Sequence, residues 1–97
     1  MASSKTKVEV PATVDAAVRL LRGLVPDVEQ ARIAYMTEED LISLDIGMGM
    51  WIRNNLGLWE GNTALLQATG EDHPDDASGE IIRAFWLALR GDLPKVH

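Results

Sequence analysis

The segment EDHPDDASG, residues 71–79, carries the densest group of side chains that could do chemistry. His73 supplies an imidazole. Carboxylates come from Asp72, Asp75 and Asp76. Both groups serve acid–base catalysis, and oxygen ligands suit Mg²⁺ or Mn²⁺, but adjacent residues on one loop rarely form an octahedral site. Because a helix is predicted to begin here, we expect Asp75 or Asp76 to cap that helix rather than to bind a metal.

A second polar group, Arg53, Asn54 and Asn55, lies in the stretch WIRNN. The three side chains could bind the carboxylate of a ligand. Alternatively, Arg53 forms a salt bridge to Asp75 or Asp76, and the two asparagines end a helix. We favour the salt bridge, because a buried polar group needs a partner in its own chain unless a ligand is always present.

The charge balance is acidic, with a formal net charge of −6 over 97 residues. Ten acidic residues and a single basic residue, Arg53, lie between Arg32 and Arg83. Nucleic-acid binding needs lysines and arginines that displace counterions, so the composition disfavours direct binding to DNA or RNA. Beyond solubility, the acidity is consistent with a face that binds a basic partner, or with mimicry of a nucleic acid.

The overall composition, 46% hydrophobic and 25% charged, is typical of one soluble globular domain. No apolar run approaches the ~18 residues that span a bilayer, so we expect no membrane partner. The first residues, MASSKTKVEV, lack the apolar stretch of a secretory signal. The chain has no cysteine, which excludes disulfides and thiolate metal sites and is compatible with the cytoplasmic location that we expect.

Familiar catalytic motifs are missing from the sequence. Ser78 lies in no G-x-S-x-G motif, and Gly47 and Gly49 belong to no phosphate-binding loop. Two glycines inside a predicted helix indicate a close helix crossing instead, with a kink or a ligand-facing backbone as alternatives. We therefore expect no catalytic residue, no metal and no cofactor, although the sequence leaves enzymatic activity open.

Three tryptophans, Trp51, Trp59 and Trp86, make up most of the aromatic content. Buried aromatic residues supply much of the apolar area of a small core, so we expect these three inside it. Exposure of a tryptophan, or of Met48 or Met50, would instead indicate an interface anchor and favour a homodimer.

The first two predicted helices lie in the N-terminal third of the chain. Thr13 is a typical N-cap, and the apolar residues after it follow helical spacing as far as Leu24, where Gly23 and Pro26 end the helix. Residues 26–36 begin with proline and acidic residues, which are typical of a helix N-terminus, and predict a short second helix.

The third predicted helix begins with TEED, in which Thr37 and Asp40 resemble a capping box. Apolar residues share one face of this helix as far as Asn55. Gly57 then suits a left-handed position after the helix C-terminus.

Two further helices complete the pattern. Asn62 begins a short one that Gly70 ends, and the last runs from Asp75 or Asp76 to Gly91. The pattern predicts an all-α fold, a compact bundle of four to five short helices. A flexible N-terminal arm is expected over residues 1–12, a single helical domain over 13–91 and a loose tail over 92–97.

WIRNNLGLWEGN, residues 51–62, is followed after a short predicted helix by HPDDASGEIIRAFW, residues 73–86. Together they resemble a small bacterial domain family of unknown function with the motifs WIRNxxGLWxG[NS] and HPDDxSGxI[IL]. The resemblance covers about residues 38–91. Some relatives carry methionine at the position of Ala77, so this chain has less apolar bulk where its last helix begins. The resemblance implies no activity.

The leading functional hypothesis is a small helical domain that acts by protein–protein contact, as a regulator, immunity-type inhibitor or adaptor. Its binding surface is expected on the acidic middle of the chain, where Glu38, Glu39, Asp40 and the loop 71–76 would face the partner.

Two other classes of function stay open. One is a small-molecule or metal-dependent enzyme built around Arg53, His73, Asp75 and Asp76. The other is an acidic, phage-type inhibitor that mimics nucleic acid.

Overall fold

Residues 10–93 are described by the structure, which is a computed structural model. Within them the chain forms helices and no strand, so the predicted all-α fold is confirmed. Most of the predicted arm and tail, residues 1–9 and 94–97, lies outside the described residues. In chain order the elements are α1 (Val14–Leu24), α2 (Asp27–Ala34), a 3₁₀-helix (Glu39–Leu44), a π-helix (Asp45–Gly49), α3 (Met50–Asn55), α4 (Thr63–Thr69) and α5 (Pro74–Gly91).

Helix α1 begins as predicted. The Thr13 hydroxyl accepts a hydrogen bond from the backbone N–H of Ala16 at 3.0 Å, which satisfies one of the free N–H groups of the first turn. The buried side of α1 packs against α5.

Helix α2 follows α1 after a turn at Pro26 and also packs against α5. The amide of Gln30 donates to the carbonyls of Arg22 and Val25, at 2.8 and 2.7 Å. These bonds satisfy carbonyls at the C-terminus of α1 and connect α2 to the end of α1. The helix ends at Ala34, slightly earlier than predicted.

The predicted capping box of the third helix is present. The backbone N–H of Thr37 donates to Oδ2 of Asp40 at 3.0 Å, and the N–H of Asp40 donates to the Thr37 hydroxyl at 3.3 Å. The regular α-helix predicted beyond it is wrong, because the chain passes through the 3₁₀- and π-helices before α3. Along this segment the hydrogen-bond spacing widens from three to five residues and then returns to four.

Asn62 begins α4, and its side chain hydrogen-bonds to three separate backbone groups. Its Oδ1 accepts from the N–H of Leu65 at 3.1 Å, and its Nδ2 donates to the carbonyls of Pro11 and Leu56. Gly70 ends the helix as predicted, and its φ of 79° places it in the left-handed conformation.

Helix α5 lies at the centre of the domain and contacts the other helical segments of the described chain. Its buried side supplies much of the core, through Ala77, Ser78, Ile81, Ile82, Phe85, Trp86 and Leu89. The N-cap is His73, whose Nδ1 accepts from the N–H of Asp75 at 3.1 Å. The prediction that Asp75 or Asp76 is the N-cap is therefore wrong, because Pro74 occupies the first helical position and the helix begins earlier.

Candidate functional site

Arg53 is largely buried between the π-helix and α5, with 11% of its side chain exposed. Its Nε lies 3.2 Å from Oδ1 of Asp75, and its Nη1 lies 3.2 Å from Oδ1 of Asp45. The same Nη1 donates to the Ser78 hydroxyl at 2.8 Å, and that hydroxyl donates to the carbonyl of Asp75 at 3.0 Å. The predicted salt bridge is therefore present with Asp75, and the guanidinium joins three segments of the chain.

Gly49 leaves the space in which the Asp45–Arg53 contact forms. A Cβ atom at this position would lie 2.4 Å from Oδ1 of Asp45 and 3.1 Å from Nη1 of Arg53. At Gly47 a Cβ atom would meet nothing within 4 Å. The expectation of a close helix crossing at these glycines is therefore wrong, since Gly49 makes room for its own segment's side chains. Asp45 was missed as a site residue, although Asp45, Gly49 and Arg53 follow one another at helical spacing.

A cleft of about 630 Å³ lies between the 3₁₀- and π-helices and the N-terminal half of α5. Leu41, Ile42 and Ile82 supply its apolar lining. Six carboxylates surround that lining, from Glu38, Asp45, Glu71, Asp75, Asp76 and Glu80. We call this feature the acidic cleft.

The acidic cleft contains only part of the predicted binding surface. Glu38 and part of the 71–76 loop line it, whereas Glu39 and Asp40 do not. The carboxylate of Asp40 is used in the capping box instead. Glu80, which was not predicted, lies one turn of α5 beyond Asp76 and so shares its side of the helix.

Positive charge within the acidic cleft comes from Arg83. Its Nε lies 2.6 Å from Oε2 of Glu38. The hydrogen bond from Arg83 to Glu38 raises the pKa of the Arg83 guanidinium, so this guanidinium keeps its positive charge. Among residues 10–93, Glu71, Asp76 and Glu80 form no salt bridge. The carboxylates outnumber the guanidinium groups beside them, so the acidic cleft carries net negative charge.

His73 and Trp59 lie together at the start of α5. Their rings meet edge to face with centroids 6.2 Å apart, and Nδ1 of His73 lies 3.9 Å from Oδ2 of Asp75. The structure thus places His73 and Arg53 around Asp75, but neither lines the acidic cleft. In residues 10–93 no group of three or more histidine, aspartate or glutamate side chains is arranged to hold a metal ion.

Asn54 and Asn55 bond within the turn that follows α3. Oδ1 of Asn54 accepts from the indole N–H of Trp59 at 3.0 Å, and the amide of Asn55 donates to the carbonyl of Trp51 at 2.9 Å. Each of these three polar side chains is thus engaged within the chain, Arg53 by α5 and the π-helix and the two asparagines by the turn, so the structure does not present them together to a ligand. The turn that they stabilise continues at Gly57, which has φ of 79°.

The tryptophans divide between core and surface. Trp86 is buried, its indole N–H donates to the carbonyl of Met36 at 3.0 Å, and the Arg90 guanidinium lies 5.1 Å from the ring centroid. Trp51 and Trp59 are 39% and 54% exposed, so the expectation that both are core residues is wrong. In the short helix α3, Ile52 takes the inward position, and Trp51, about 100° away around the helix axis, is left partly exposed.

A second groove, of about 460 Å³, lies where the turn between α1 and α2 approaches the π-helix. Leu24, Met48 and Trp51 are among its mostly apolar lining residues, and Glu29 is its one charged lining residue. Glu29 is paired to Arg32. This groove therefore offers apolar contact without the free charge of the acidic cleft.

Within residues 10–93, no helix combines the length and the apolar character that crossing a bilayer requires. No curated protein and no solved structure matches the chain. The sequence profile of the family described as Domain of unknown function (DUF6794) matches residues 10–89. The match includes α1 and α2 as well as the stretches WIRNNLGLWEGN and HPDDASGEIIRAFW. The chain therefore belongs to this family of domains of unknown function.

Proposed function

We propose that this domain acts by protein–protein contact and that the acidic cleft holds a basic segment of its partner. The observation that carries the proposal is the combination of an apolar lining with carboxylates that have no partner in the described chain, from Glu71, Asp76 and Glu80. Acidic walls attract lysine and arginine side chains, and the apolar lining can cover their methylene stems.

The proposed interaction depends on several weak contacts. An exposed ion pair contributes only about 0.2–1 kcal/mol, so no single carboxylate dominates binding. Together the carboxylates steer a cationic partner toward the acidic cleft and raise its association rate, an effect that salt weakens. This behaviour suits a regulator, inhibitor or adaptor in a bacterial cytoplasm, a compartment with which a cysteine-free chain is compatible.

The ion pairs of Arg53 support this role by joining the two walls of the acidic cleft, the π-helix and α5. Asp45 and Asp75 line the cleft and both contact the buried guanidinium. Their side chains are thereby fixed in position, so less side-chain entropy is lost when a ligand binds. We therefore assign Arg53 a structural role behind the acidic cleft.

Binding of a fluorescein-labelled peptide of leucine and lysine, about 18 residues long, tests the proposal by fluorescence anisotropy. Glu80→Lys places a positive charge in the acidic cleft and is expected to weaken binding about tenfold. Glu60→Lys changes the net charge equally at an exposed turn outside the cleft, and should leave the affinity within about twofold. Equal affinities for these two variants would contradict the proposal, because only the total charge would then matter.

A further inference from the structure

We infer that the basic segment is an amphipathic helix with cationic and apolar faces side by side. This inference rests on the proposed function, because it assigns a conformation to the partner of the acidic cleft. It starts from three exposed residues, Ile42, Ile46 and Met50, whose exposed fractions are 78%, 77% and 51%. We call them the apolar ridge.

The apolar ridge is one unpartnered side of a continuous helical segment. Its residues recur every four positions through the 3₁₀-helix, the π-helix and the beginning of α3. The opposite side of this segment is buried, through Leu41, Leu44, Gly49 and Ile52. Large apolar side chains at this spacing are typical of a surface that receives another helix.

Ile42 belongs both to the apolar ridge and to the lining of the acidic cleft. The apolar and acidic surfaces therefore share an edge, and one ligand can contact both. The negative charge on the other wall comes from Asp76 and Glu80, one helical turn apart on α5.

This arrangement distinguishes a helical ligand from an extended one. In an extended segment successive side chains point to opposite faces, so its cations and its apolar residues would be separated by the backbone. In an α-helix, neighbouring stripes of residues can present a cationic face and an apolar face to two surfaces that meet at an edge. The helical conformation therefore fits the apolar ridge and the acidic cleft together.

The charge distribution also selects between a second copy of this chain and a different protein. Every arginine in residues 10–93 is already engaged within its own chain: Arg19 with Asp15, Arg22 with Asp92, Arg32 with Glu29, Arg53 with Asp45 and Asp75, Arg83 with Glu38, and Arg90 over the ring of Trp86. The described part of a second copy would therefore bring mainly carboxylates to the acidic cleft. A different, basic protein is the better complement.

Two synthetic peptides of identical leucine and lysine composition test the inference. One has leucines at helical spacing on one face, and the other has the same residues in scrambled order. We expect the patterned peptide to bind about tenfold more tightly and to become helical on binding, as measured by anisotropy and circular dichroism. The double substitution Ile46→Ser and Met50→Ser should remove this preference, whereas Val28→Ser, at an exposed apolar position on α2, should preserve it.

The outcomes separate this inference from the proposed function. If both peptides bound equally and Glu80→Lys still weakened their binding, the inference of a helical partner would be overturned. The proposal that the acidic cleft holds a basic segment would stand. Binding that neither Glu80→Lys nor the ridge substitutions alter would overturn both. A concentration-dependent dimer in sedimentation analysis that Ile46→Ser abolishes would assign the apolar ridge to a second copy and overturn the inference. Thermal melts confirm folding, and Met50→Ser alone replaces the double variant if that variant unfolds.

Discussion

Oδ1 of Asp75 lies 3.2 Å from Nε of Arg53, so a carboxylate in the first turn of α5 is held by a guanidinium from α3. The contact spans the two most recognisable stretches of the sequence, WIRNN and HPDD, and explains why an arginine stands among acidic residues. It also places Asp75 in the wall of the acidic cleft. One buried side chain thus connects the packing of the helices to the surface proposed to bind a partner.

Arg53→Lys is expected to lower the free energy of unfolding by about 1–3 kcal/mol. A lysine ammonium cannot reproduce the planar arrangement that reaches Asp45, Asp75 and Ser78 at once. Urea denaturation measures the change. Arg83→Lys, at an exposed pair with Glu38, is the control and should leave the stability unchanged within error. Equal losses for the two variants would mean that the buried geometry is unimportant.

Alanine substitutions at Gly47 and Gly49 should change stability in opposite directions. Gly49→Ala forces the Asp45 carboxylate away from Arg53 and should destabilise the fold by about 1–3 kcal/mol. Gly47→Ala meets no neighbouring atom and should stabilise the helical backbone by about 0.5–1 kcal/mol. Thermal melts of the two variants provide the measurement. Increased stability of both variants would show that Asp45 does not need the space beside Gly49.

Asn62→Ala should lower the free energy of unfolding by about 2–4 kcal/mol. The substitution removes the cap of α4 and leaves the carbonyls of Pro11 and Leu56 without their donor. Asn55→Ala removes one exposed amide bond and should cost less than about 1 kcal/mol. Asn62→Asp keeps the capping oxygen but loses the donor; if it were as stable as the wild type, the bonds to Pro11 and Leu56 would have no energetic role.

The pKa of the Glu29 carboxyl should lie below its ordinary value, because Arg32 donates a hydrogen bond to the ionised form. The pair therefore adds stability above the unfolded-state pKa, and this contribution disappears as the pH falls through the lower folded-state pKa. A carbon-detected NMR titration of Glu29 measures the value. Arg32→Gln should return it to the ordinary range and Arg19→Gln should not; an unchanged value in Arg32→Gln would refute the assigned cause.

Local signals in the sequence predicted the helices well. Thr13, the Thr37–Asp40 box and Asn62 act on backbone groups within three residues, so their roles depend on short-range chemistry. The first helical residue of α5 was placed too late because aspartate is the commoner N-cap, whereas Pro74 places His73 at that position.

Features that depend on distant contacts were harder to predict. Arg53 contacts Asp45 eight positions earlier, and it is held by α5 more than twenty positions further along the chain. Exposure of Trp51 and Trp59 likewise depends on which side of a short segment faces the core, which composition does not decide. The acidic cleft combines residues from two separate helical regions, and Glu80 became part of it only through their packing.

Nuclear magnetic resonance titration with the patterned leucine–lysine peptide tests the central claim most directly. Binding at the acidic cleft predicts that the largest amide shift changes occur at Ile42, Asp45 and Glu80, and that added salt reduces them. Shift changes concentrated around Leu24 and Trp51 in the second groove, or insensitive to Glu80→Lys, would contradict the account.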